Sequence, residues 1–192
     1  MTGQGAATEL GGCEAGTLSL SLGHRPQERH TDMNDPEKDP TQADAKALFG
    51  ELLEQTHRRL WLHAPVETLA EFGQIDIGSR LATIARRHRH TDIRILIDDD
   101  LALKEQMPAL VESIKRLPTA ISVRRLERAE DTPMVMTVIA DHGGWMQYTL
   151  AGARRVLRGD IEDRPGTARA ARDFEANWSL SDESAELRRL MV

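Results

Sequence analysis

One segment limits the fold more than any other: Val135 to Ala140 is continuously apolar, with no polar residue but Thr137. A run of that length suits a strand covered on both faces, because a strand with one wet face alternates polar and apolar residues. Asp92-Ile93-Arg94-Ile95-Leu96-Ile97 is a second strand, rich in β-branched residues, and Arg59 to His63 a third, closed by Pro65. A strand buried on both faces needs helices above and below it. The sequence supplies them at helical spacing. Leu48, Phe49, Leu52 and Leu53 share one face, and Thr41 with Asp44 forms a capping pair before them. Ile77, Leu81, Ile84, Ala85 and His88 share another, and Leu103, Met107, Leu110, Val111, Ile114 and Leu117 a third that runs through Pro108. Ala170, Phe174 and Trp178 lie four apart on a late helix, and Ser181 is placed to cap a last one. Ile121 to Leu126 and Trp145 to Leu150 read as strands, joined in the latter case to the apolar run by a turn at Asp141 to Gly144. The pattern is α/β: one layered domain over residues 41–192, with a mixed, largely parallel sheet flanked by helices.

Residues 1–40 are rich in Gly, Thr, Glu, Asp and Pro, too poor in apolar surface to offset chain entropy, and are expected to be a disordered tail. Met33, followed by Asn34-Asp35-Pro36, is a candidate true start of translation. Residues 1–45 carry eight acids and three bases; the remainder carries 23 acids and 22 bases, so the folded part is almost neutral. Bulk charge therefore argues against a nucleic-acid binder and leaves only local clusters for that role. The single cysteine, Cys13, excludes a disulfide framework and a cysteine zinc site within one chain. No basic, apolar leader precedes it, and no run spans a membrane, so the expected location is the cytoplasm.

Three groups of residues could carry chemistry. Arg80, Arg86, Arg87 and Arg89, with Arg124 and Arg125, and a further set at Arg154, Arg155 and Arg158, could hold phosphate if they converge; otherwise they are a solvated face. Asp98-Asp99-Asp100 follows a strand, where three carboxylates could hold a divalent metal for phosphodiester hydrolysis; the competing reading is a turn and a helix cap. The histidines, His57, His63, His88, His90 and His142 among them, lack the spacing of a helical zinc pair, so neither metal nor cofactor is expected.

Four stretches, in this strand order, resemble the phospholipase D-like superfamily: Arg59 to Leu62, Asp92 to Asp98, Met134 to Asp141, and Phe174 to Trp178. Residues 46–192 more closely resemble a bacterial family of such domains, found alone or behind a GNAT-type acetyltransferase domain. The markers are Leu48-Phe49, Thr56 with Arg58-Arg59, Arg116-Leu117-Pro118, and Asp141 to Gly144. In active members a His-x-Lys-x4-Asp motif supplies the nucleophile, the phosphate-binding ammonium and a supporting carboxylate. The resemblance places Met134, Met136 and Asp141 at those positions, so only the Asp remains. A thioether neither exchanges a proton nor carries charge, which implies a degenerate site and no phosphodiesterase chemistry. The resulting expectation is a non-catalytic binding or regulatory module. Its partners are open between an acetyltransferase domain and a second copy forming a homodimer. Phosphate or nucleic-acid binding by the arginines is the first alternative, and a residual metal-dependent phosphodiesterase the second.

Overall fold

A computed structural model describes residues 41–129 and 132–184. The expectations for the tail and for Met33 lie outside these residues, as does the part of the expected last helix that follows Ser184. The elements run α1 (Gln42–Gln55), β1 (Arg59–His63), α2 (Val66–Ala70), α3 (Ile77–Arg87), β2 (Asp92–Ile97), α4 (Asp100–Gln106), α5 (Pro108–Arg116), β3 (Ile121–Arg125), β4 (Met134–Ala140), β5 (Gly144–Ala151), β6 (Arg154–Asp160), α6 (Arg164–Leu180) and β7 (Asp182–Glu183).

The seven strands form one sheet in the order β6-β5-β4-β1-β2-β3-β7. Helical crossovers make β1 parallel to β2 and β2 parallel to β3. The remaining four pairings are antiparallel. The sheet is thus mixed, but parallel only at its centre rather than through most of its width. Short connections decide this. Three residues join β4 to β5, and two, Gly152 and Ala153, join β5 to β6, with Gly152 at φ +60° as a tight hairpin requires.

Two cores flank the sheet. On one face Leu60, Leu62, Ile93, Ile95, Ile97, Val138, Met146 and Tyr148 pack against residues of α1 to α5. On the other, Trp61, Leu96 and Ile139 pack against Ala170 and Phe174 of α6. α1 starts with the expected capping box between Thr41 and Asp44. The helix expected to run through Pro108 is instead two. α4 ends at Gln106, and Pro108 is the first residue of α5, where its missing N–H costs nothing. Ser181 does not open a helix: it closes α6, its hydroxyl donating to the Trp178 carbonyl, and Asp182–Glu183 pair as a short strand with β3.

Candidate functional site

A concavity of about 480 Å³ lies on the α6 face of the sheet. It opens at the carboxyl ends of β1 and β2, where open α/β sheets place their ligands. His63 closes β1 and Asp98 follows β2. Val135 and Thr137 of β4, with Trp145 and Gln147 of β5, form the floor, and Phe174, Ala170 and Asn177 of α6 form a wall. Leu126, Arg128 and Pro133, from the connection between β3 and β4, line the opposite side.

Local chemistry fixes the wall. The Asp163 carboxylate accepts from the Gly166 amide and from the Trp145 indole N–H, each at 2.9 Å, and so joins the start of α6 to β5. Those bonds hold its carboxyl below the usual range, the Gly166 amide most strongly. Glycine is required at 166, since a Cβ there would overlap both the Asp163 carboxylate and the Trp145 ring nitrogen.

Asp98 is held at the mouth. One oxygen accepts from the Val66 amide at 2.9 Å, and the other lies 3.6 Å from Nε of Arg128, whose guanidinium also donates to the Thr132 carbonyl at 2.9 Å. Burial pushes the His63 imidazole below its ordinary value of 6.5, against the opposing pull of Asp98. The folded chain therefore binds the His63 proton less readily than the unfolded chain does. Its contribution to stability is complete above about pH 6.5 and falls as the pH drops from there toward the lowered folded value. In melting curves taken between about pH 7 and pH 5, wild type should lose more stability than H63Q. Equal losses in the two proteins would show that His63 is not desolvated.

The motif positions expected from the sequence do not line this cleft. Successive side chains of a strand point to opposite faces, and on β4 the cleft receives Val135 and Thr137. Met136 lies in the core on the other face, fully buried, and Met134 shares its parity. Asp141 stands at the far end of the sheet. Its carboxylate accepts from the amides of His57 (2.8 Å), Arg58 (2.9 Å) and Arg59 (2.9 Å) and pins the β4–β5 turn to the start of β1.

The arginines also separate. Arg80 pairs with Glu54 at 2.8 Å, and Arg87 donates to the carbonyls of Glu54 and Thr56. Arg86 and Arg89 are exposed at and beyond the end of α3, on the opposite side of the sheet from α6. Arg124 of β3 lies over Trp178 and donates to its carbonyl, and Arg125 pairs with Glu127. Arg154, Arg155 and Arg158 are on β6, the strand at the other end of the sheet from β3 and β7. In the acidic triplet, Asp99 caps α4 through the Leu101 and Ala102 amides, and Asp100 is buried and accepts from the Ser184 hydroxyl. No group of three or more potential metal ligands occurs among the described residues.

Trp61, Phe174 and Trp178 form an aromatic stack, with ring centroids 5.1 and 5.7 Å apart. Arginines interleave with it. Arg59 and Arg94 each lie 4.7 Å from the Trp61 ring centre, and Arg94 and Arg124 lie 5.6 and 4.8 Å from that of Trp178. Four of the six candidate phosphate ligands, Arg80, Arg87, Arg124 and Arg125, thus have partners within the fold.

The profile of one protein family, described as a domain of unknown function (DUF7931), matches residues 41–190. The chain belongs to that family. No curated protein matches this DUF7931 member. Among solved structures it is similar to TrmBL2, titled an archaeal chromatin protein with a novel mode of DNA binding. The TM-score is 0.55 and the identity 14%, over 73% of this chain and 51% of that one. The chain therefore spans about half the length of that relative. It is also similar to Nuc, a phospholipase D family member from Salmonella typhimurium. There the TM-score is 0.53 and the identity 13%, over 73% of this chain and 90% of that one. The DUF7931 domain thus has a phospholipase D-like fold. No helix among its described residues is long and apolar enough to cross a membrane.

Proposed function

We propose that this DUF7931 chain is a non-catalytic binding module whose ligand occupies the cleft between α6 and strands β4 and β5. One observation carries the reading. The cleft has the volume of a small-molecule site and an apolar lining of Leu126, Val135, Trp145, Ala170 and Phe174, with a few polar groups, Thr137 and Gln147 on its floor and Asn177 in its wall, set among them. Phosphodiester cleavage needs a nucleophile, a second group to protonate the leaving oxygen, and positive charge on the phosphoryl oxygens. Here the lining side chains offer a single imidazole, His63, no ammonium, and two guanidiniums, Arg128 and Arg169, the second beside Asp163. Arg128 is engaged by Asp98 and the Thr132 carbonyl. The case for lost catalysis thus rests on the cleft's own residues rather than on Met134 and Met136. The partner implied by the sequence resemblance, an acetyltransferase domain, would read whether the cleft is filled.

The dye 1-anilinonaphthalene-8-sulfonate, an apolar body with one anionic end, tests this. Wild type should bind one equivalent with enhanced emission, and T137W should weaken binding by more than about tenfold, since Thr137 sits on the cleft floor between His63 and Gln147. Unchanged dye binding by a folded T137W would overturn the location. Hydrolysis of bis(p-nitrophenyl) phosphate that H63N abolishes would overturn the non-catalytic reading.

A further inference from the structure

A second surface lies at the opposite, amino-terminal ends of β1 and β2, where three connections meet. The link from α1 to β1 carries His57 and Arg58, the link from α3 to β2 carries His88, Arg89 and His90, and the turn from β4 to β5 carries His142. Hydrogen bonds hold the three together. Asp141 accepts from the amides of His57, Arg58 and Arg59, and the Asp92 amide donates to the Arg58 carbonyl at 2.8 Å. The rings of His57 and His88 meet edge to face with centroids 6.5 Å apart. Four of the five histidines among the described residues are gathered here, all exposed, alongside exposed Arg58, Arg86 and Arg89.

Three of the nearby carboxylates are already used. Glu54 is paired with Arg80, Asp92 accepts from the Trp61 indole and from Arg94, and Asp141 is filled by three amides. Arg58, Arg86 and Arg89, by contrast, have no ion pair among the described residues, so the links into β1 and β2 present positive charge despite the near-neutral total. The surface also lacks what a protein interface or a lipid surface would use. The exposed large apolar residues among the described ones are Leu101 and Leu180, neither of them here. Protein interfaces centre on apolar and aromatic anchors, and membrane-surface elements bury an apolar face. No Trp, Tyr or Phe lies on these three connections as a platform for an unstacked base. Charge and N–H donors without large apolar side chains fit a ligand recognised chiefly through phosphates.

We propose that this edge binds the phosphate backbone of duplex nucleic acid, with Arg58, Arg86 and Arg89 as its cationic contacts and the histidines as added donors. The contact is independent of sequence and of whatever fills the cleft at the other end of β1 and β2. Arg87, whose guanidinium serves the carbonyls of Glu54 and Thr56, positions the end of α3 and is not one of the contacts.

Fluorescence anisotropy of a labelled mixed-sequence DNA duplex with the full chain is the test. Three phosphate contacts give a slope of log K against log salt of about −2.7, and R86Q/R89Q should bring it to about −0.9 and weaken low-salt binding on the order of tenfold. R154Q/R158Q on β6 should leave both unchanged. The substituted positions are exposed, so circular dichroism should report folded variants. Absence of duplex binding at low salt, or a slope that R86Q/R89Q does not alter, overturns the proposal. So does loss through R154Q/R158Q instead, or association with phosphatidylglycerol vesicles in place of the duplex. Equal affinity for the single strand overturns the duplex preference.

Discussion

Replacing Asp141 by alanine is expected to cost about 3 kcal/mol of folding stability, measured as a shift in the urea midpoint at unchanged slope. Two effects add. Asp141 sits at φ +48°, a left-handed conformation that Asp and Asn adopt far more readily than Ala, worth roughly 1 kcal/mol. Its carboxylate also satisfies three amides at the start of β1. Those of His57 and Arg58 can turn to water, but the Arg59 amide is half-buried, and losing a charged acceptor there costs about 2 kcal/mol. D141N keeps the backbone preference and one oxygen, so it should lose about half as much. Burial alone would raise the Asp141 carboxyl, but the Arg59, His57 and Arg58 amides together bring it below its ordinary 3.8. The charge thus stabilises the fold fully above about pH 3.8, and its share is lost as pH falls through the lowered folded value. The gap between wild type and D141N should narrow in that acid range. A D141A midpoint equal to wild type would show that the turn does not anchor β1.

Trp61→Ala should be costlier still, about 4 kcal/mol, or roughly a 10 °C fall in melting temperature for a domain of this size. Trp61 is 4% exposed and links β1 to α6 through its stack on Phe174. Arg59 and Arg94 both rest against its ring, and its indole donates to Asp92 at 3.0 Å. Removing it leaves a cavity and uncovers two guanidinium groups whose neighbours were arranged around an aromatic surface. W61F retains the stack and gives up the Asp92 bond, so it should cost only about 1 kcal/mol. Thermal denaturation of the pair separates packing from hydrogen bonding. A W61A loss below that of W61F would show that the ladder of rings and guanidiniums is ornamental to stability.

Much of the fold was legible because burial leaves a periodic trace. The apolar run at β4, the β-branched β2 and the helical faces of α1 and α3 are where the sequence places them. The features that escaped have physical reasons. β6 reads Arg-Arg-Val-Leu-Arg-Gly-Asp because it lies at an end of the sheet and is mostly exposed, so only the Gly152 hairpin signals it. α2 is five residues long and too short for a period to show. The helical spacing from Leu103 to Leu117 carries on across Pro108 and so reads as one helix, whereas the backbone ends α4 before the proline and starts α5 on it.

The site was less legible for a related reason. A strand apolar on both faces gives no sign of which parity meets the cleft. Motif spacing pointed to Met134 and Met136, while Val135 and Thr137 are the ones that face it. His63, Asp98, Trp145 and Phe174 come from four separate elements, and nothing local in the sequence joins them. The arginine groups do not converge: Arg80, Arg86, Arg87 and Arg89 lie on or just beyond α3, Arg124 and Arg125 on β3, and Arg154, Arg155 and Arg158 on β6.

β6 has a further consequence, for colloidal behaviour. Among the described residues it closes one side of the sheet, and such a strand is a template on which another chain can polymerise. Arg154, Arg155 and Arg158 set like charges along it, and incoming copies of the same strand would be repelled unless aligned with each Arg154 against Asp160. Like charge along this edge disfavours the strand addition from which fibrils grow.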